Sequence, residues 1–203
     1  MINIRARMFN RRASNQKFMP KKVIESLQIH PGEKVADIGS GGGYFSFQFS
    51  HLVKNKGKVF AVDTNAKLLN YIKNQSIEIG LDNLITVPTD SFPTGLPLGQ
   101  LHLVFLRNVY HHLSERVEYF KRMRAYLVPE GRIAILDYAQ TGGFSFHKLF
   151  DHQVPPDIIR REMEQAGYTL DATFDFLSEQ SFLIFRLWGK KPCALEEPKK
   201  ITL

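Results

Sequence analysis

A glycine-rich loop directly after an acid is the stretch of this sequence that most clearly points to chemistry. The segment VADIGSGGGYFSFQFS (35–50) places Asp37 before four glycines in the five positions from Gly39 to Gly43. Such a loop costs backbone entropy, because glycine loses more conformational freedom on folding than any other residue. Backbone without side chains lets a ligand approach closely, and a carboxylate accepts hydrogen bonds from it. We therefore expect a ligand-binding loop, with tight packing of a strand against a helix as the alternative.

Two common nucleotide-binding loops do not fit this segment. A dinucleotide-binding loop that starts at Gly39 and Gly41 needs a third glycine where the chain has Tyr44, and a P-loop needs Gly-Lys followed by Ser or Thr. Asp63 ends the next apolar run, 24 residues after Gly39. A carboxylate there can accept hydrogen bonds from both hydroxyls of a ribose. Since NAD-binding folds use an acid in the same way, Asp63 indicates a nucleoside without selecting one.

Apolar runs that alternate with amphipathic segments must position these residues. Strands are predicted at 33–39, 58–64, 84–90, 101–108 and 131–138, and helices at 43–55, 65–80, 114–128 and 155–168. Ser114 is the predicted cap of its helix, and the turn-rich stretch 91–100 stands where another helix could have been. The last runs, 169–177 and 180–190, are predicted to pair as an antiparallel hairpin. The pattern predicts an α/β fold with a seven-stranded, mostly parallel, doubly wound sheet and helices on both faces.

Positive charge is concentrated at one end of the chain. The formal net charge is +7, and residues 1–24 contain seven basic side chains and no acid, so the rest is balanced. This segment is either an arm for nucleic acid, an anionic membrane surface or an acidic substrate, or a solvated helix that partly covers the active site. We expect three parts: a basic arm or cap helix at 1–24, a ligand-binding domain at 25–189 and a charged tail at 190–203.

The remaining composition limits the compartment and the possible metal chemistry. Cys193 is the one cysteine in 203 residues, which excludes an internal disulfide and a site built from several thiolates. The sequence contains no run of about 18 apolar residues, so we expect no membrane span. The first residues also lack the apolar core of a secretory signal. We expect a cytoplasmic protein without a bound metal.

The loop has the form D-x-G-x-G-x-G, and here the chain resembles the class I S-adenosylmethionine-dependent methyltransferases. The blocks VFAVDT, LVFLRNVYHHLSER, RMRAYLVPEGRIAILDY and MEQAGYTL are similar to successive segments of the branch that acts in ubiquinone and menaquinone biosynthesis. The resemblance extends from about Met19 to Trp188, and it implies a Rossmann-like sheet. Glu130 departs from the usual Pro-Gly-Gly, which indicates a variation in a turn.

The resemblance implies S-adenosylmethionine as cofactor. This molecule carries no phosphate, and an acid near the end of the first strand can meet its ammonium group. Asp90 at the end of the third strand is expected to contact adenine, or else to cap a turn, and backbone carbonyls at the end of the fourth strand are expected to face the methionine portion. The expected cofactor-binding residues are Asp37, Gly39, Ser40, Gly41, Gly43, Tyr44, Asp63, Thr64, Asp90, Ser91, Arg107 and Asn108.

Methyl transfer from a sulfonium is an in-line displacement, so a base is needed only where the acceptor atom carries a proton of high pKa. Tyr110, His111 and His112 follow the fourth strand, and we expect His111 and Tyr110 to act on the acceptor, unless YHHL simply packs against the next helix. His152, beside Asp151, is a second catalytic candidate. An apolar lid of Phe144, Phe146 and Phe150 is one interpretation, and ordinary core packing is the other.

Absent motifs narrow the acceptor. The chain lacks the [DN]-P-P-[FYW] motif of adenine and glutamine N-methyltransferases and the several cysteines of arsenite methyltransferases, and Pro192-Cys193 stands too late to act on cytosine. Nucleic acid is disfavoured, because the basic residues form one short arm rather than a broad face. We expect a monomer or homodimer acting on an apolar or aromatic small molecule. The alternatives are a regulatory protein that binds the cofactor without turnover and an RNA methyltransferase guided by the arm.

Overall fold

A computed structural model describes residues 4–138 and 153–188. Its strands are β1 (Lys34–Ile38), β2 (Lys58–Asp63), β3 (Leu84–Pro88), β4 (Leu101–Arg107), β5 (Leu127–Tyr138), β6 (Tyr168–Phe174) and β7 (Gln180–Leu187). The helices are α1 (Ile4–Ala13), α2 (Pro20–Ser26), α3 (Tyr44–Val53), α4 (Ala66–Glu78), α5 (Arg116–Met123) and α6 (Pro156–Gln165). Three short 3₁₀ turns add Gln16–Phe18, Tyr110–His112 and Arg124–Tyr126.

The seven strands form one sheet in the order β3-β2-β1-β4-β5-β7-β6. Strands β1 to β5 run parallel, whereas β7 pairs antiparallel with both β5 and β6. This confirms the predicted mostly parallel, Rossmann-like sheet with a C-terminal antiparallel hairpin. The chain reverses its direction of winding between β1 and β4, and sheets of this kind bind ligands at such a point, beyond the carboxyl ends of the strands.

Helices cover both faces of the sheet, as the apolar runs predict. Alternate strand residues contribute to two separate cores because successive side chains point to opposite faces. Val35 packs with α3 and α4 side chains on one face, while Ala36 packs with α5 and α6 side chains on the other. Strand residues that are buried on both faces explain why the sequence shows continuous apolar runs rather than strict alternation.

Two local predictions were wrong. Ser114 does not cap α5, because Glu115 occupies the N-cap position with φ 47°. The Glu115 side chain makes no capping hydrogen bond to the helix. Strand β5 begins at Leu127 rather than at residue 131. Its pairing with β4 jumps from Leu101–Leu127 to Leu103–Arg132, so the segment with Glu130 is a bulge within the strand.

The segment before β1 is attached to the sheet by a buried ion pair. Nη2 of Arg132 on β5 lies 3.0 Å from Oε2 of Glu33 and donates to the carbonyl of Leu27 at 2.8 Å.

Among the described helices, none combines the length and apolarity that a membrane crossing requires.

Candidate functional site

A cavity of about 830 Å³ opens at the carboxyl edge of the sheet, at the reversal point between β1 and β4. This volume is within the usual range for small-molecule sites. The loop after β1, the ends of β2 to β5 and helix α1 all contribute lining residues. These include Arg5, Phe9, Asn10, Arg12, Asp37, Gly39, Ser40, Gly41, Tyr44, Asp63, Thr64, Asp90, Ser91, Arg107, Asn108, His111, His112 and Tyr138.

The glycines of the loop serve different purposes. Gly39, Gly41 and Gly43 have φ of 71°, 55° and 85°, in the left-handed region that disfavours other residues. A Cβ atom at Gly39 would overlap Val109, and one at Gly43 would lie 2.8 Å from Ile72 Cγ1. At Gly41 a Cβ atom would make ordinary van der Waals contact with Phe9, at 3.7 Å, so here packing does not require the bare backbone. Packing therefore explains the bare backbone at Gly39 and Gly43, and Gly43 is absent from the cavity lining.

Asp63 joins the loop to the end of β2. Its Oδ2 accepts a hydrogen bond from the Gly41 amide at 2.9 Å, and its Oδ1 accepts one from the Asn65 amide at 2.8 Å. Each carboxylate oxygen retains capacity for a further donor. The structure thus brings the predicted nucleoside anchor directly against the loop, with Thr64 beside it. Asp90 and Ser91 follow β3 on the same side of the cavity and are exposed.

Asp37 is nearly inaccessible at the end of β1, with 3% of its surface exposed. Ser46 Oγ on α3 donates to its Oδ2 at 2.6 Å. Burial raises the pKa of Asp37 from 3.8 to about 7, and the nearby Asp63 charge adds to this rise, although the Ser46 hydrogen bond opposes it. A cation entering the cavity would favour the ionised form.

The polar groups of the cavity fit S-adenosylmethionine. Ser40 Oγ and Thr89 Oγ1 are buried and lack a hydrogen-bond partner among the described residues. Both residues line the cavity beside Asp63. Unpartnered buried hydroxyls are costly, and the hydroxyl and amino groups of a nucleoside with an amino acid moiety would pair with them. Among the described residues, no group of three or more His, Cys, Asp or Glu side chains is arranged for a metal ion.

His111 and Asp137 form a hydrogen-bonded pair in the cavity wall. His111 Nδ1 lies 2.7 Å from Asp137 Oδ1, and the His111 backbone amide donates to Oδ2 at 3.1 Å. The Tyr138 amide also donates to Oδ1, at 2.8 Å. Asp137 therefore fixes the orientation of the ring and directs its Nε2 to accept a proton. Sequence reasoning missed Asp137, although an acid that ends a parallel strand, as in ILDY, is the signal that identified Asp63.

Tyr110 lies in the core rather than at the cavity. Its side chain is fully buried and stacks on Phe120, with the ring centroids 5.6 Å apart. Its hydroxyl donates to Glu162 Oε2 at 2.6 Å, and Arg116 pairs with the same carboxylate. Burial and the neighbouring Glu162 raise the pKa of Tyr110. The packing alternative for YHHL therefore describes Tyr110, whereas His111 and His112 line the cavity.

Arg107, which ends β4, and Asn108, which follows it, make different contacts. Asn108 adopts φ 55°, and its Oδ1 accepts a hydrogen bond from Gln180 Nε2 at 2.6 Å. Arg107 lies over the rings of Phe18 and Phe45, 5.5 and 5.6 Å from their centroids. His152, Asp151 and the three phenylalanines of the expected lid lie outside the described residues.

Helix α1 covers one wall of the cavity. Asn10 Oδ1 accepts a hydrogen bond from the Tyr44 amide at 3.1 Å, and a Cβ atom at Gly42 would overlap the Ala6 carbonyl oxygen. Phe9 lies next to Gly41. The basic segment thus contacts the glycine loop directly, a relationship that its charge alone did not reveal.

Comparison with known proteins agrees with this geometry. A family model described as a methyltransferase domain matches residues 29–180. Ubiquinone/menaquinone biosynthesis C-methyltransferase UbiE of Cellvibrio japonicus is 26% identical over 130 residues, 64% of this chain and 52% of the relative. The UbiE protein of Shewanella sp. (strain W3-18-1) is 24% identical over 136 residues, 66% of this chain and 54% of the relative. The chain thus spans about half the length of these curated relatives.

Solved structures share the fold. A SAM-dependent methyltransferase from Aquifex aeolicus superimposes with a TM-score of 0.74 at 22% identity, covering 89% of this chain and 95% of that one. The putative methyltransferase solved with the Haloferax volcanii Trm112 activator gives 0.73 at 12% identity, covering 90% and 93%. The expected family is therefore confirmed. The chain belongs to the methyltransferase-domain family, and the curated relatives to which it is similar are UbiE proteins.

Proposed function

We propose that the protein transfers the methyl group of S-adenosylmethionine to a proton-bearing atom of a small-molecule acceptor, with His111 as the general base. The His111–Asp137 pair in the cavity wall is the observation that carries this proposal. With Nδ1 held by a carboxylate, Nε2 is the ring nitrogen that can take a proton from the acceptor. Asp137 is buried and is not part of the cavity lining, so we assign it a positioning role.

Residues on the opposite side of the cavity would hold the cofactor. Asp63 and Thr64 at the end of β2 suit the ribose, Asp90 and Ser91 after β3 suit the adenine, and Asp37 suits the ammonium group. The bare backbone of Gly41, which lines the cavity, would allow close approach of the cofactor, and the unpartnered Ser40 hydroxyl would supply a hydrogen-bonding group. When bound, S-adenosylmethionine supplies an electrophilic methyl group on its sulfonium. Helix α1 covers the glycine loop and would limit the entry of water.

The acceptor is proposed to be small and partly aromatic or apolar. Phe9, Leu113 and Tyr119 give the cavity an apolar lining beside its polar groups. The UbiE relatives are named C-methyltransferases, and an acceptor carbon of that kind also loses a proton, which a histidine base would accept. Action in the cytoplasm as a monomer or homodimer remains part of this proposal.

The alternatives draw less support from the described residues. The basic segment was the motive for an RNA methyltransferase, yet two of its side chains make contacts within the protein. Lys17 Nζ lies 2.7 Å from Glu179 Oε1, and Arg12 Nη2 donates to the Tyr138 hydroxyl at 2.5 Å. A cofactor-binding regulator without turnover does not need the aligned His111–Asp137 pair.

Calorimetry with S-adenosylhomocysteine, and with NAD as the competing ligand, tests cofactor binding. We expect S-adenosylhomocysteine to bind and NAD not to bind. Asp63→Asn should weaken binding by about 10-fold or more, since a charge-assisted hydrogen bond contributes about 1.5–3 kcal/mol. Asp82→Asn, at an exposed turn, is the matched control. A radiolabelled-methyl screen of quinol, phenol, amine and fatty-acid pools then tests turnover, and binding without transfer to any pool would favour the regulatory alternative.

A further inference from the structure

Two nitrogen atoms of the Arg107 guanidinium have no hydrogen-bond partner among the described residues. It is the last residue of β4, and its Nε and Nη2 atoms are buried and have no partner there. The rings of Phe18 and Phe45 hold the guanidinium by contact alone. Burial of a charge without a compensating partner is costly, so such a group in a cavity wall indicates a ligand that completes it.

The nearest acid does not fill this role. Asp37 influences Arg107, but no ion pair between them occurs in the described part of the chain, and its carboxylate accepts from Ser46 instead. Burial raises the pKa of Asp37 to about 7, so this carboxyl is partly protonated near neutral pH. Burial also lowers the pKa of Arg107, and the nearby Arg12 charge adds to this effect, while Tyr138 and Asp37 oppose it.

A second cation stands on the same side of the cavity. Arg12 of α1 lies over the Tyr138 ring, 5.8 Å from its centroid, and donates to the Tyr138 hydroxyl at 2.5 Å. Tyr138 ends β5, the neighbour of β4, and the Arg12 charge contributes to the lowered pKa of Arg107. Arg107, Arg12 and Tyr138 all line the cavity.

This group lies away from the nucleoside anchor. Asp63 ends β2 and Tyr138 ends β5, three strands further along the sheet, which corresponds to about 14 Å at the usual strand spacing. His111 and Asp137 lie at the β5 side as well. Arg107 ends β4, two strands from β2, which corresponds to about 10 Å. The Tyr138 ring, to which Arg12 is bound, lies 6.3 Å from the His111 ring, so Arg12 is connected to the side of the proposed base.

We propose that Arg107 and Arg12 bind a carboxylate of the methyl acceptor, which is therefore a small carboxylic acid. The inference rests on the proposed function and names its substrate class. Nε and Nη2 form the edge of a guanidinium that matches the two oxygens of a carboxylate. A more highly charged anion fits less well, because Asp63, Glu115 and Glu118 also line the cavity.

Binding of small carboxylates to protein saturated with S-adenosylhomocysteine tests the proposal. The probes are benzoate and octanoate, with benzamide and octanamide as uncharged counterparts, and titrations are followed by NMR. We expect each acid to bind at least about 10-fold more tightly than its amide. Arg107→Met and Arg12→Gln should abolish that preference, whereas Arg11→Gln, an exposed neighbour on α1 that is not part of the lining, should keep it. Equal binding of acids and amides by the unmodified protein overturns the proposal.

The amino acid end of the cofactor is the competing source of a carboxylate. If Arg107→Met weakens S-adenosylmethionine about 10-fold but leaves decarboxylated S-adenosylmethionine unaffected, the arginine serves the cofactor and the acceptor assignment is wrong. If Arg107→Met binds S-adenosylmethionine and its decarboxylated form as tightly as the unmodified protein does, the result supports the assignment of Arg107 to the acceptor. Arg12→Gln, on an exposed helix position, gives the same comparison without a change in the core. Failure of the unmodified protein to bind S-adenosylhomocysteine would instead reject the proposed function itself.

Discussion

His111 Nδ1 lies 2.7 Å from Asp137 Oδ1, although the two residues are 26 positions apart in the chain. One residue follows β4 and the other lies near the end of β5, and these strands are hydrogen-bonded neighbours in the sheet. The pair is enclosed, with side-chain exposures of 7% for the histidine and 1% for the aspartate. The sheet therefore brings the proposed base and its proposed positioning group together at the wall of the cavity.

Loss of this base should reduce turnover without reducing cofactor affinity. We expect His111→Gln to lower kcat by about 100-fold, because general base catalysis typically contributes 10²–10⁴-fold. Asp137→Asn should lower kcat by about 10-fold with an unchanged KM, since its amide cannot accept all three of the hydrogen bonds that Asp137 accepts. Asp175→Asn, at an exposed position, is the control for loss of a carboxylate. Equal kcat values for all three variants and the unmodified enzyme would show that no base acts here.

The raised pKa of Asp37 predicts how stability changes with pH. Its pKa is 3.8 in an ordinary setting and about 7 in the folded protein, so the folded state binds more protons between these values. Stability from this group therefore falls as pH rises from about 4 to about 7 and is constant above that range. Asp37→Asn removes this titration. As the pH rises across the same window, the unfolding free energy of the variant should therefore increase relative to that of the unmodified protein, by ~4 kcal/mol at most.

Urea unfolding of both proteins at pH 4, 6 and 8 measures this difference. Comparison of the pair cancels the titration of the other acids and histidines. A gap that is the same at all three pH values would mean that folding leaves the pKa of Asp37 unshifted.

A methyl group at Gly42 should displace α1 from the glycine loop. The added Cβ would overlap the Ala6 carbonyl oxygen and lie 2.7 Å from Asn10 Cγ, and Gly42 has no positive φ that would add backbone strain. We expect Gly42→Ala to cost about 1–3 kcal/mol of stability, the usual cost of overpacking. Trypsin should also cleave faster at the arginines of α1. Gly95→Ala is the control, because Gly95 also lacks a positive φ and its added Cβ would meet only Val87 Cγ1, at 3.1 Å. Equal cleavage of the two variants would contradict the docking of α1.

Tyr110 should be important for stability rather than for turnover. Its hydroxyl donates to Glu162, which is also held by Arg116, and the ring lies in the core. Tyr110→Phe is expected to cost about 1 kcal/mol in unfolding free energy and to leave kcat within about twofold. Tyr168→Phe, which loses a buried hydrogen bond to the Phe120 carbonyl, is the matched comparison. A large fall in kcat for Tyr110→Phe alone would restore its predicted catalytic role.

Local patterns predicted the strands, most helices and the cofactor side of the cavity. Strand β1, the loop and Asp63 could be read directly because hydrophobic periodicity and glycine runs act over a few residues. The C-terminal hairpin was predictable for the same reason, since β6 and β7 are close in sequence. The error at Ser114 also has a local cause: Glu115 takes a left-handed conformation that composition does not encode.

The acceptor side depended on contacts between residues that are distant in sequence. The pairing of β4 with β5 brings Asp137 to His111, and the docking of α1 places Arg12 near Arg107. Tyr110 and His111 are adjacent in the chain, yet one turns into the core and the other toward the cavity. The sequence by itself determined the fold class and the position of the glycine loop that we propose for the cofactor, because these follow from short-range periodicity and composition. Only the tertiary structure decided which polar groups meet at the acceptor, because that depends on strand order and helix docking.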